Sequence, residues 1–221
     1  MTNKYESFNL EIEDNIANII LSRPEQLNSM SRKFWVELPE ILEEVNRNSE
    51  IRVLIISSTG KHFCAGMDLS AFDNGVANIP KEKRPDNARI GEALYRSARE
   101  LQEYISKLEK IRVPVIAAIH GGCIGGAVDL VTACDIRLAT TDAFFCIQEI
   151  NIGMAADVGT LQRLPRIIPD SKMRELAYTG RRMLADEAKE SGLVSDVYNS
   201  QEEMVNAAKE MANEIAKKSP I

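Results

Sequence analysis

Two continuous apolar runs, Ile51–Ser57 and Val113–Ile119, each empty into a loop holding glycine and small residues. A run without polar/apolar alternation predicts a strand buried on both faces. Such strands need helices above and below them, so the two runs commit the chain to an α/β core. The loops that follow are Thr59–Leu69 (TGKHFCAGMDL) and His120–Gly126 (HGGCIGG). Ligands of open α/β sheets gather beyond the carboxyl ends of strands, which is where these loops belong. Glycine lets backbone N–H groups approach a bound atom closely. Two such loops could each offer one N–H to the same oxygen, and at a thioester carbonyl that pair would form an oxyanion hole.

The remaining pattern supplies the layers. Phe8–Glu13 and Ile16–Leu21 read as paired strands turning at Asp14-Asn15. Ser29 or Ser31 can cap a helix over Arg32–Arg47, in which Pro39 predicts a kink or a late start. Residues 71–86, polar and carrying Pro80 and Pro85, read as a mobile surface loop. Ile90, Leu94, Ala98, Leu101, Ile105 and Leu108 fall at helical spacing within Asn87–Lys110. Further helices are expected over 127–133, 160–164, 172–179, 185–191 and 201–218, with short strands over 136–139, 143–147 and 193–198. The simplest division is a core domain over 1–198 and a C-terminal helix over 199–221.

Composition narrows the partners. With 27 basic against 33 acidic residues and a net charge of −6, the chain offers no basic face for nucleic acid. Cys64, Cys123, Cys134 and Cys146 lack C-x-x-C or Cys/His spacing, so reduced buried thiols are expected and no metal. No apolar run approaches a membrane span, and the polar start MTNKYESFNLEIED shows no leader, so a cytoplasmic protein is expected.

Three acids stand in apolar surroundings shortly after the second glycine loop: Asp129, Glu149 and Asp157. Singly each has an ordinary reading: a core ion pair, a strand-end surface residue, a helix cap. Together, in a low-dielectric pocket, carboxylates raise at least one pKa and supply a proton carrier near neutral pH. His62 and His120 lie far from any Ser or Cys signature for a nucleophilic triad. The glycines match neither a dinucleotide fingerprint nor a phosphate-binding loop ending in Lys-Ser/Thr.

HFCAGMDL at 62–69, PVIAAIHGGCIGGAVDLVTACDIRLAT at 114–140 and LADEAKESGLVSDVY at 184–198 resemble the crotonase (enoyl-CoA hydratase/isomerase) superfamily. LSRPEQLNSMS at 21–31 resembles that family's CoA-binding turn. The resemblance covers essentially the whole chain. It implies a spiral of ββα units, a coenzyme A thioester as substrate, no cofactor, and assembly as a homotrimer or a dimer of trimers. By motif position it assigns the oxyanion-hole amides to Met67 and Gly126, and substrate binding to Arg23, Cys64, Ala65, Gly66, Asp68 and Gly125. Members of the family continue for several helices beyond a segment such as AKKSPI, so a shortened helical C-terminal part is expected, with 199–221 beginning the trimerisation region.

Hydratases of the family carry glutamates where Asp129 and Glu149 stand here. A shortened first acid with a third in AADVGTLQRLP resembles the Δ3,5-Δ2,4-dienoyl-CoA isomerase subfamily, as does PDNARIGEALYRSARELQ. That resemblance implies removal of a proton at C2 and return of one at C6. Glu149 and Asp157 form the expected shuttle, base and acid unassigned, with Asp129 tuning a neighbour and Met154, Ala155 and Ala156 excluding water. Two alternatives stand beside it: an enoyl-CoA hydratase holding water between Asp129 and Glu149, and a catalytically silent scaffold.

Overall fold

A computed structural model describes residues 5–68 and 86–219. The expected loop at 71–86 lies outside the described residues except for Asp86, which caps the helix that follows. Strands β1 (Phe8–Glu13) and β2 (Ile16–Leu21) pair antiparallel, and Asp14 and Asn15 take left-handed φ of 48° and 67° as the two-residue hairpin requires. Helix α1 (Arg32–Arg47) is capped by Ser31, whose Oγ accepts from Phe34 N at 3.3 Å. It runs past Pro39 as one helix starting at Arg32, so the late start is not observed.

β3 (Val53–Ser58), α2 (Asn87–Glu109), β4 (Val115–Ile119), β5 (Gly122–Ile124) and α3 (Gly126–Thr132) follow, then β6 (Ile136–Thr140) and β7 (Phe144–Cys146). α4 (Thr160–Arg163), α5 (Asp170–Thr179), β8 (Met183–Leu184), α6 (Ala185–Glu190), β9 (Asp196–Tyr198) and α7 (Gln201–Ala216) complete the order. The ββα rhythm is plain in β1-β2-α1, β4-β5-α3 and β6-β7-α4. The main sheet runs β1-β2-β3-β4-β6-β9 and is parallel from β2 onward. A small sheet, β5-β7-β8, stands apart.

Both apolar runs are buried along their whole length, because the sheet is covered on both sides. Leu54, Ile56, Val115, Ala117 and Ile119 point into a large core shared with α1 and α3. Their alternates Val53, Ile55, Ile116 and Ala118 meet Met204, Ala208 and Ala212 of α7. The three buried α7 positions recur every four residues, which brings one small-residue stripe flat onto the strands. Among the described residues no helix is long and apolar enough to cross a membrane.

Candidate active site

The turn after β2 is the first piece of the site. Leu27 and Asn28 adopt left-handed φ of 51° and 53°. The buried Asn28 amide donates to Thr59 O at 2.7 Å and His62 O at 3.0 Å, while its Oδ1 accepts from Arg23 N at 2.9 Å. One side chain thereby fastens this turn to the loop leaving β3. Arg23 is itself bound in, donating to Ser29 O at 2.9 Å with Asp68 Oδ2 at 3.8 Å.

The two glycine loops then zip together. Phe63 N donates to His120 O (2.8 Å), Cys64 N to Gly122 O (3.0 Å), and Ile124 N to Cys64 O (3.1 Å), so Cys64 and Cys123 pair as a parallel bridge. On the other side Met30 N donates to Gly66 O (2.8 Å) and Asp68 N to Met30 O (3.1 Å). Gly66, at φ +86°, must be glycine: a Cβ there would lie 2.6 Å from Ile124 O. A Cβ on Gly126 would meet Met30 Sδ at 2.9 Å and the Met67 amide nitrogen at 4.0 Å. The ladder thus brings Met67 and Gly126 next to each other. Among the described residues neither amide has a backbone acceptor outside its own helix or strand.

Met67 and Gly126 both line a cavity of about 620 Å³. Ala65, Gly66 and Gly125 also line it, as do all three predicted acids. Arg23, Cys64 and Asp68 do not line it. Cys64 is fully buried, its thiol pushed up to about 12 by desolvation, and its Sγ accepts from Gly66 N at 3.4 Å. Its part is to hold the ladder together.

The acids differ sharply. Asp129, in the first turn of α3, is 1% exposed. Its Oδ1 accepts from Thr160 N (2.6 Å) and Thr160 Oγ1 (2.7 Å), and its buried Oδ2 has no partner. Burial pushes its pKa up to about 7 against the pull of the Thr160 bonds, with the charge of Glu149 adding to the rise. Glu149 begins a 3-10 turn (Glu149–Ile152), half-buried, with Oε1 beside Gly125 and Oε2 buried without a partner. Burial raises it, and the charge of Asp157 raises it further. Charge therefore pushes along a chain, Asp157 on Glu149 and Glu149 on Asp129.

Asp157 corrects one expectation. It is exposed, on the rim between this cavity and a neighbouring polar cleft of about 340 Å³. The apolar neighbours that suggested burial are exposed as well: Met154 (42%) and Ala155 stand at the opening, and only Ala156 is buried. Apolar residues lining an open cavity give the same local hydropathy as residues inside a core.

Trp35, Phe144 and Arg182 line the cavity without having been singled out from the sequence. Trp35 Nε1 meets Met67 Sδ at 3.3 Å. Arg182 lies 4.2 Å over the Phe144 ring, brought there by the antiparallel pairing of β7 with β8. Leu94, Ala98 and Leu101 form the α2 wall, on the helical spacing already visible in the sequence. Thr160 carried a fainter signal, a hydroxyl one residue after a glycine and three after Asp157.

The enoyl-CoA hydratase/isomerase family matches residues 11–221. This chain belongs to that family. Among members of the enoyl-CoA hydratase/isomerase family, it is 45% identical over 219 residues to the mitochondrial Δ(3,5)-Δ(2,4)-dienoyl-CoA isomerase of Rattus norvegicus, covering 98% of this chain and 66% of the relative. It is 43% identical to the peroxisomal Δ(3,5)-Δ(2,4)-dienoyl-CoA isomerase of Arabidopsis thaliana, covering 95% and 74%. The chain thus spans just under two thirds of the rat relative's length. Among solved structures, the enoyl-CoA hydratase from Bacillus anthracis superposes with a TM-score of 0.84 at 33% identity, over 97% of this chain and 78% of that one. The family fold is the α/β architecture expected from the two apolar runs. The compartments named for these two relatives are mitochondrial and peroxisomal, so they lend no support to a cytoplasmic location.

Proposed function

We propose that this chain acts on a coenzyme A thioester and moves the double bonds of a 3,5-dienoyl-CoA to the 2,4 positions, a reaction of fatty-acid β-oxidation. The observation that carries this reading is the third carboxylate: Asp157 lines the same cavity as Glu149, Asp129, Met67 and Gly126.

In this reading the thioester oxygen accepts from both amides. As the C2 proton leaves, the C2–H electron pair moves into C1–C2 and negative charge develops on that oxygen, where the donors stabilise it. The charge is delocalised along the conjugated chain to C6. A proton added at C6 draws the electrons back, restoring the carbonyl and leaving double bonds at C2 and C4. One proton leaves and one enters, so no redox partner is needed. Glu149 and Asp157 exchange these protons, since they sit on different elements and reach different carbons of an extended chain. Asp129 uses its Thr160-bound oxygen as an anchor, and its Oδ2 is left unpartnered. The cytoplasmic location read from the sequence and the homotrimer or dimer of trimers implied by the resemblance belong to this same proposal.

A hydratase reading is favoured by one observation, the two buried unpartnered oxygens Asp129 Oδ2 and Glu149 Oε2, a pair suited to holding a water. Substrate choice separates the two. Given a 3,5-dienoyl-CoA, the isomerase produces the near-ultraviolet band of a conjugated 2,4-dienoyl thioester. Water addition to a 2-enoyl-CoA with no such band would overturn the isomerase reading.

A further inference from the structure

Arg163 is the most enclosed cation near the site, with 10% of its side chain exposed, and no step above uses it. Its guanidinium divides its donors between two elements. Nε donates to Glu109 Oε2 at 2.9 Å and Nη2 to Ser106 Oγ at 3.1 Å, both on α2. Nη1 donates to Val158 O at 3.3 Å, the residue following Asp157. A second tie runs alongside, Gln102 Nε2 donating to Asp157 O at 2.7 Å. Gln102, Ser106 and Glu109 fall at i, i+4 and i+7, one stripe of the helix whose neighbouring stripe, Leu94, Ala98 and Leu101, walls the cavity.

Gly159 makes room for this arrangement. It holds φ +132°, and a Cβ there would stand 1.7 Å from Arg163 Nη1. The next residue is Thr160, whose N–H and hydroxyl both bind Asp129 Oδ1. The four residues 157–160 therefore carry one carboxylate directly and hold a second by two hydrogen bonds.

We propose that Arg163 is a positioning residue that, by clamping the 157–160 segment to α2, sets the places of Asp157 and Asp129 together relative to the acyl wall. A planar fork is needed for this, because three acceptors on two elements must be reached from one group. Lysine reaches one of them. The proposal rests on the isomerase reading for its kinetic consequence and on geometry alone for its structural one.

Two variants and two kinds of readout test it. Arg163→Lys keeps a cation opposite Glu109, and its melting temperature stays near that of the wild type. Its kcat for 3,5-dienoyl-CoA is expected to fall ~100-fold with KM little changed, the scale of loss from a misplacement of about 1 Å. Arg163→Gln is expected to lose both thermal stability and kcat. Independently of turnover, hydrogen exchange at the Thr160 amide should quicken in Arg163→Lys, and the Asp129 carboxyl, followed by carbon NMR, should titrate at higher pH. Wild-type kcat in a well-folded Arg163→Lys, or unchanged Thr160 exchange and Asp129 titration in it, overturns the proposal. Should the wild type fail to turn over the dienoyl thioester, the isomerase reading falls, and the exchange and titration measurements alone decide the role of Arg163.

Discussion

Two clusters of carboxylates in this molecule are treated in opposite ways. On the surface between α5 and α6, Glu175 and Glu187 share two cations: Lys172 Nζ lies 3.0 and 2.9 Å from them, and Arg181 Nη2 2.6 Å from each. Hydrogen bonds from Arg181 and then Lys172 hold Glu187 down at about 2. In the cavity, Asp129 and Glu149 have no cation within ion-pairing distance among the described residues, each keeps one buried oxygen without a partner, and both are pushed up. The first arrangement satisfies the acids, and the second raises both above the ordinary carboxylate range, Asp129 to about 7. A fold that can saturate carboxylates so fully at one place leaves them unsaturated at another, as the proposed proton transfer requires.

The contrast breaks most visibly at the shuttle. Asp157→Asn and Glu149→Gln should each lower isomerase kcat by about 10²–10⁴-fold, the range for loss of a general acid or base. Binding of the coenzyme A ester, followed by titration calorimetry, should persist in both. Unchanged turnover in either variant removes that residue from the mechanism.

Asp129 gives the next largest effect, on stability. Its carboxyl binds a proton more tightly folded than unfolded, so stability is greatest below about pH 4 and declines as pH rises toward about 7. The full decline corresponds to about 4 kcal/mol for a shift of this size. Asp129→Asn retains an oxygen for the Thr160 bonds and cannot ionise. Denaturant midpoints measured across pH 4–8 should flatten in the variant, and a slope like the wild type's would show that another group titrates.

The surface cluster sharpens the comparison with the smallest effect and the opposite sign. Glu187 is depressed, so its contribution is present above about pH 4.5 and disappears as pH falls through about 2. Exposed pairs contribute only about 0.2–1 kcal/mol, so Glu187→Gln should lower the denaturant midpoint slightly and leave turnover unchanged. A large loss of either would mean that the α5–α6 surface is coupled to the cavity.

Much of this was legible in the chain itself. β1, β2 and α1 fall where alternation, the Asp14-Asn15 turn and the Ser31 cap place them, because those signals act over a few residues. The two glycine loops were legible as a pair since each follows a doubly buried strand. Arg163 and Glu109 are 54 residues apart, and Phe144 and Arg182 meet only through β7–β8 pairing, so no local pattern announces either contact. The exposure of Asp157 was misread for a related reason: Met-Ala-Ala-Asp describes polarity along the chain, whereas exposure depends on what other segments leave uncovered.

The ladder at Cys64 and Cys123 has a consequence for how such a protein can change. Main-chain pairing holds the backbone around Met67 and Gly126 in register, so the amide at position 67 is placed by the backbone and not by its side chain. In the proposed reaction, activation of the carbonyl would be inherited with the backbone, while proton traffic would fall to separate carboxylates on α3, the 149–152 turn and the 157–160 segment. Substituting an acid can redirect the chemistry and leave the electrophile equally activated. One scaffold can in this way diversify its products without first having to rebuild its means of attack.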